Sequence, residues 1–318
     1  MDDDKKAEWL ARVKIDGYSL KDASLELQAD KDVVFSAVTH NGRALGYASA
    51  ALQADKDVVM AAVAENGYAL EYASAELRAD KKFILAVLVL SGEALQFASV
   101  ELQADKEVAL IASAQHGEAL QFTSAELKAD REVVLVAVAQ NGYALCYASV
   151  DLQSDKGILL AAKDGEALQF ASAEIQADKE VVMAAVLQNG NALYYASAEL
   201  KTDIVIVINA IARNGRALKY ASTTLQADKN VVMAAVAENG AALEFASAEL
   251  KADREVVLVA VAQNGCALYY ASAALQADKD VVMAAVAENG YALEYASAEL
   301  RADKQFILMA SGALTGPC

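Results

Sequence analysis

The chain has 318 residues, 56% of them apolar, and carries 27 Lys and Arg against 44 Asp and Glu, for a formal charge of −17. That field repels phosphate backbones and anionic lipid headgroups, which argues against nucleic acid or an acidic membrane surface as a partner; it either serves only to keep an apolar-rich rod soluble or suits a basic protein or peptide. With abundant alanine and a single proline, Pro317, little punctuates the chain, so long helical content is expected.

The opening MDDDKKAEWL is charged where a secretory signal is apolar. Apolar runs such as Phe83 to Leu90 and Ile204 to Ile208 fall short of the roughly 18 residues a membrane span needs. A soluble, intracellular protein with no membrane span is expected, with export that uses no amino-terminal signal left open.

From Gly17 a glycine recurs every 25 residues through Gly142; Gly165 follows after 23, and the spacing of 25 resumes from Gly190 to Gly290. These twelve units cover nearly the whole chain, and such a period marks a stacked repeat protein. A second ladder, Asp30 to Asp303, runs in register with the first. Each aspartate precedes an apolar run, as in DREVVLVAVAQNG, which reads as a helix N-cap followed by an Asn-Gly stop with the glycine left-handed. Val133, Val134, Ala137 and Val138 then share one helical face, and Leu145, Ala148 and Leu152 share a face of the segment that follows. The expected unit is two antiparallel helices of about ten residues each. A hairpin with a type I′ Asn-Gly turn competes, but strict alternation is missing; the leucine spacing of a leucine-rich repeat is absent too.

Residues 54–81 recur letter for letter at 277–304, and 124–142 at 247–265. Verbatim copies are tolerable in a stack because every interior unit meets the same neighbours. A lone unit buries about five large apolar side chains worth roughly 1.5 to 3 kcal/mol each, and cannot offset about 1 to 2 kcal/mol per residue of lost backbone entropy. Stacking supplies the difference. Segmental duplication or design yields such copies, and the irregular units favour a natural origin. DKGILLAAKDG lacks two residues, and Ile204 stands where a basic residue follows the other aspartates. The fold expected is an all-α solenoid of twelve repeats, about 100 Å long if straight. It has a capping repeat over 1–29, regular repeats over 30–154, a shortened repeat over 155–177 that bends or softens the array, regular repeats over 178–302 and a cap over 303–318.

The wording ADKEVVMAAVLQNGNALYYASAELKTD resembles the bacterial and protist repeat known as domain of unknown function 4116, through its Asp-Lys, Val-Val, Gln-Asn-Gly, Ala-Leu and Tyr-Ala-Ser. The first unit departs from it, with Asp22 where the aromatic stands elsewhere. The resemblance implies a helical repeat module, found also in some bacterial effectors, and brings no catalytic residues with it.

Comparing the units separates fixed from variable positions. Leucine holds the third position after every repeat glycine, an aromatic the fifth in eleven of twelve, and serine the seventh. The serines read as small residues in a tight helix contact bonding a carbonyl one turn back, against the alternative of a hydroxyl relay. The aromatics read as interlayer packing, against a stacking platform. The first and fourth positions vary: Tyr68 and Glu71, Glu93 and Gln96, Glu118 and Gln121, Tyr143 and Cys146, Asn191 and Tyr194, Arg216 and Lys219, with Tyr269 and Tyr291 in the last units. Stacked, they form a polar and aromatic stripe suited to a protein or peptide partner; an ordinary solvated face is the alternative. Val89 and Leu90, where other units carry Ala and Glu or Gln, add either a sticky patch or a locally buried turn.

Catalytic chemistry finds no purchase. His40 and His116 lack fixed-spacing partners for a metal or a triad, Cys146 and Cys266 lie five units apart, and no phosphate-cradling glycine loop occurs. Three cysteines without a pairing pattern suit a reducing compartment. The row Glu76, Glu101, Glu126, Asp151, Glu174 and Glu199 is a solvated or partner-facing edge rather than a calcium site, because a ladder does not converge six to eight oxygens. The expected protein is a non-enzymatic scaffold, monomeric or weakly oligomeric and without cofactor or metal; the rival is a spacer rod that binds only at its ends.

Overall fold

The computed structural model describes residues 3–313, and no strand occurs among them. The chain divides into two compact units, Met1–Lys163 and Asp164–Cys318. The division falls inside the shortened repeat.

Each regular repeat has three elements. In the one that begins at Asp105 they are an α-helix, Lys106–Gln115, a 3₁₀ helix, Gly117–Phe122, and a single α-turn, Ala125–Lys128. The leading helix forms as read. The second helical segment is interrupted: at Thr123 and Ser124 the backbone extends, with ψ of 164° and 162°. The cause is a bond between repeats. The Ser124 N–H donates to the Gln103 carbonyl of the preceding repeat at 3.1 Å, which removes it from any continuous helical ladder. Equivalent bonds join Ser49 to Gln28, Ser74 to Gln53 and Ser99 to Arg78 in the first unit, and Ser197 to Gln176 and Ser222 to Lys201 in the second.

The serine hydroxyls correct the sequence reading. In most repeats they accept the N–H three residues ahead, as Ser99 Oγ does from Leu102 at 3.4 Å, so the serine is an N-cap instead of a donor to the previous turn. The glycines correct it as well. Among the described residues only Gly165, in the shortened repeat, has a left-handed backbone, with φ of 73°. Where an asparagine precedes the glycine it caps the 3₁₀ helix, as Asn141 does by accepting the Tyr143 N–H at 2.9 Å. The glycine is needed for close approach: a Cβ on Gly117 would lie 2.5 Å from the Ala137 carbonyl oxygen of the next repeat, and one on Gly240 would lie 2.3 Å from that of Ala260.

Within each unit, leading helices pack on leading helices and 3₁₀ helices on 3₁₀ helices of the adjoining repeat. The face between the two layers holds the core. Val133, Val134, Ala137, Val138, Ala144 and Leu145 are fully buried, as the valine spacing predicts, while the aromatics of the fifth position are half-buried between layers. The first unit opens with Asp3–Ile15, whose Val13 is fully buried and which packs on the leading helix Lys31–Val38.

The aspartate ladder has two functions in most rungs. Asp130 Oδ1 accepts the Glu132 and Val133 N–H groups at 3.0 and 3.2 Å, capping its own helix, while Oδ2 receives Lys106 of the preceding repeat at 2.8 Å. The same pairing joins Lys31 to Asp55, Lys56 to Asp80, Lys81 to Asp105 and Arg131 to Asp155, and later Lys179 to Asp203 and Lys229 to Asp253. The lysine amine, with the capping amides behind it, holds the Asp55, Asp105, Asp130 and Asp253 carboxyls below the usual carboxylate range. Ile204 removes one such cation, and the rung that Asp228 would complete is missing.

Candidate functional site

A 3₁₀ helix has three residues per turn, so its first and fourth side chains eclipse one another. The variable positions are those two. The residues between them, Ala69 and Leu70 or Ala144 and Leu145, are fully buried, so the variable pair projects from the outer face of each 3₁₀ helix. Tyr68, Glu71, Tyr143, Asn191, Tyr194, Arg216, Lys219, Tyr269 and Tyr291 are exposed, and Glu93, Gln96, Glu118, Gln121 and Cys146 are half-exposed. Successive 3₁₀ helices lie side by side in each unit, so these side chains line one face of that unit.

Part of the first-position row is tied into the array. Glu93 Oε1 lies 3.1 Å from His116 Nε2, the Asn141 side-chain amide donates to Glu118 at 3.2 Å, and that of Asn214 donates to Asn191 at 2.8 Å. In each case the residue before the next glycine reaches back one repeat. Arg216 pairs with Glu244 at 2.8 Å and lies over the Phe245 ring at 5.2 Å. The sequence reading missed these ties. The signal was a polar first position set against the asparagine, or His116, that precedes the glycine one repeat on.

The aromatics also link repeats. Tyr68 meets Phe97 edge to face at 5.8 Å; Tyr194 meets Tyr195 at 5.0 Å and Tyr220 of the next repeat at 5.2 Å; Tyr269 meets Tyr270 and Tyr295 at 5.1 and 5.3 Å. Edge-to-face packing fixes these rings while leaving much of Tyr194 and Tyr269 open, at 56% and 61% exposure.

The remaining candidates are placed as follows. Val89 and Leu90 end the helix Lys81–Leu90 and are exposed, so the locally buried turn does not form. The Glu76, Glu101 and Glu126 carboxyls fold back on their own backbone N–H and on the capping serine, which holds them below the ordinary range. Burial pushes the Cys146 thiol up, away from the reactive thiolate. Cys318 lies outside the described residues. No group of three or more His, Cys, Asp or Glu among the described residues is placed to hold a metal ion, and no helix is long and apolar enough to cross a membrane.

A family model described as a domain of unknown function, DUF4116, matches in overlapping stretches from 9–53 through 278–310. The chain belongs to the DUF4116 family. Most matched stretches, such as 55–103 and 178–226, cover two consecutive repeats of the chain. No curated protein and no solved structure is significantly similar to the chain.

Proposed function

We propose that this tandem DUF4116 array is a non-catalytic scaffold that binds a protein or peptide along the outer face of its 3₁₀ helices. One observation carries the reading: side chains vary among repeats at the two eclipsed outer positions while the residues between them stay Ala and Leu in all but the first repeat, which has Ser19 and Leu20. A position free to vary at constant fold is where a repeat protein sets specificity, and exposed tyrosines are good interface anchors. The excess of 17 negative charges favours approach by segments that are neutral or basic overall. The second reading, a spacer that engages partners only at its ends, is favoured by the ties that occupy Glu93, Glu118 and Asn191.

A pull-down comparing the intact chain with a triple variant, Tyr68→Ala, Tyr143→Ala and Tyr194→Ala, separates the two. Partner binding along the face predicts loss of capture with thermal stability nearly kept. Unchanged capture favours the spacer.

A further inference from the structure

We propose that the cleft formed by Tyr194, Tyr195, Lys201, Lys219 and Tyr220 binds a carboxylate side chain of a partner peptide and so sets the register of that peptide on the face. The proposal rests on the scaffold reading and deepens it at one place. The cleft has a volume of about 640 Å³, within the range of small-ligand sites, and only aromatic and basic residues line it.

The two ammonium groups differ from those of the aspartate ladder. Ladder lysines such as Lys106 and Lys179 are paired with aspartates of the next repeat. Lys201 instead gives its amine to the Tyr194 carbonyl at 2.7 Å and lies 5.6 Å from the Tyr194 ring centre; Lys219 lies 5.7 Å from that of Tyr220. Neither is ion-paired with a carboxylate among the described residues. Partial burial, with nothing opposing it, pulls the Lys201 amine below its ordinary range, the state of a cation that lacks an anion.

The chain supplies its own control. Three repeats on, Tyr269, Tyr270 and Tyr295 repeat the ring geometry, with centroids 5.1 and 5.3 Å apart. There Gln276 replaces Lys201, donating to the Tyr269 carbonyl at 3.1 Å, and Glu294 replaces Lys219. One tyrosine cup is cationic and its counterpart is not, so the charge is separable from the fold. A polyanion is repelled by the chain as a whole, whereas a single acidic side chain on an otherwise neutral or basic peptide meets local attraction from these two ammonium groups.

The test uses the full chain and fluorescence anisotropy with a short fluorescein-labelled Ser- and Tyr-containing peptide bearing a central Glu-Glu pair, beside its Gln-Gln and phosphotyrosine counterparts. The proposal expects the Glu-Glu peptide to bind at least about tenfold tighter than the Gln-Gln peptide. The double variant Lys201→Gln, Lys219→Glu, which copies the second cup, abolishes that difference, and Gln276→Lys with Glu294→Lys adds a second site. Equal binding of both peptides, or a preference unaffected by the double variant, overturns the proposal. Tighter binding of the phosphotyrosine peptide overturns the carboxylate assignment. If the Gln-Gln peptide binds and the Tyr194→Ala variant weakens it, the scaffold reading survives the loss of this inference; if no peptide binds the face, both fail.

Discussion

Asp130 shows how much one side chain does in this array. Its two oxygens serve different repeats, one closing the first turn of its own helix and the other receiving Lys106. Asp130→Ala removes both and should cost about 1 to 2 kcal/mol, mostly the cap. Asp130→Asn keeps an acceptor for the amides and forfeits only an exposed ion pair, worth less than about 1 kcal/mol. Urea denaturation of the three proteins checks the order. The ladder also fixes the acid response. Because the folded carboxyls of Asp55, Asp105, Asp130 and Asp253 lie below their unfolded value of 3.8, their contribution is complete above that value and is lost as pH falls through the folded values. Stability followed by circular dichroism should therefore hold near neutrality and decline steadily below about pH 4, and the decline should be shallower in Asp130→Asn.

At the scale of the element, the repeat glycine was legible in the sequence but its reason was not. Asn-Gly after an apolar run is the local signature of a left-handed helix stop, whereas the contact that excludes a side chain at Gly117 comes from Ala137, twenty residues on. Local grammar contains no such contact. Similarly, Leu145, Ala148 and Leu152 fit one helix by spacing, and the Ser149 N–H bond to the Lys128 carbonyl that breaks it joins two repeats. The cap positions and the valine face were legible because they are decided within one turn. Gly117→Ala should cost about 1 to 3 kcal/mol, since the Ala137 backbone cannot yield cheaply. Gly157→Ala, where a Cβ meets the guanidinium end of Arg131 at 2.6 Å in the first turn of a helix, should cost less, because a side chain rather than backbone must shift and gained helix propensity of up to about 1 kcal/mol offsets loosening of the exposed Arg131–Asp155 pair. Thermal denaturation of the two variants separates them. The variable face was legible from comparison among repeats, but the ties of Glu93, Glu118 and Asn191 were not, because each partner lies in the next repeat.

For the whole molecule, the decisive term is what one repeat borrows from the next. Core valines, the Ser amide bond, the Asp–Lys rung and the glycine contact all cross between repeats. None of them exists in an isolated repeat, where ordering about 25 backbones at roughly 1 to 2 kcal/mol each has too little burial to oppose it. Verbatim copies are compatible with this arrangement because the valine core, the Ser amide bond and the glycine contact recur at most interior junctions. The most direct measurement is urea unfolding of peptides covering 105–129, 80–129 and 55–129, one, two and three repeats. The account predicts an unfolded single repeat, with stability and denaturant slope rising at each addition. A cooperatively folded 105–129 peptide, or stability that does not grow with repeat number, would contradict it.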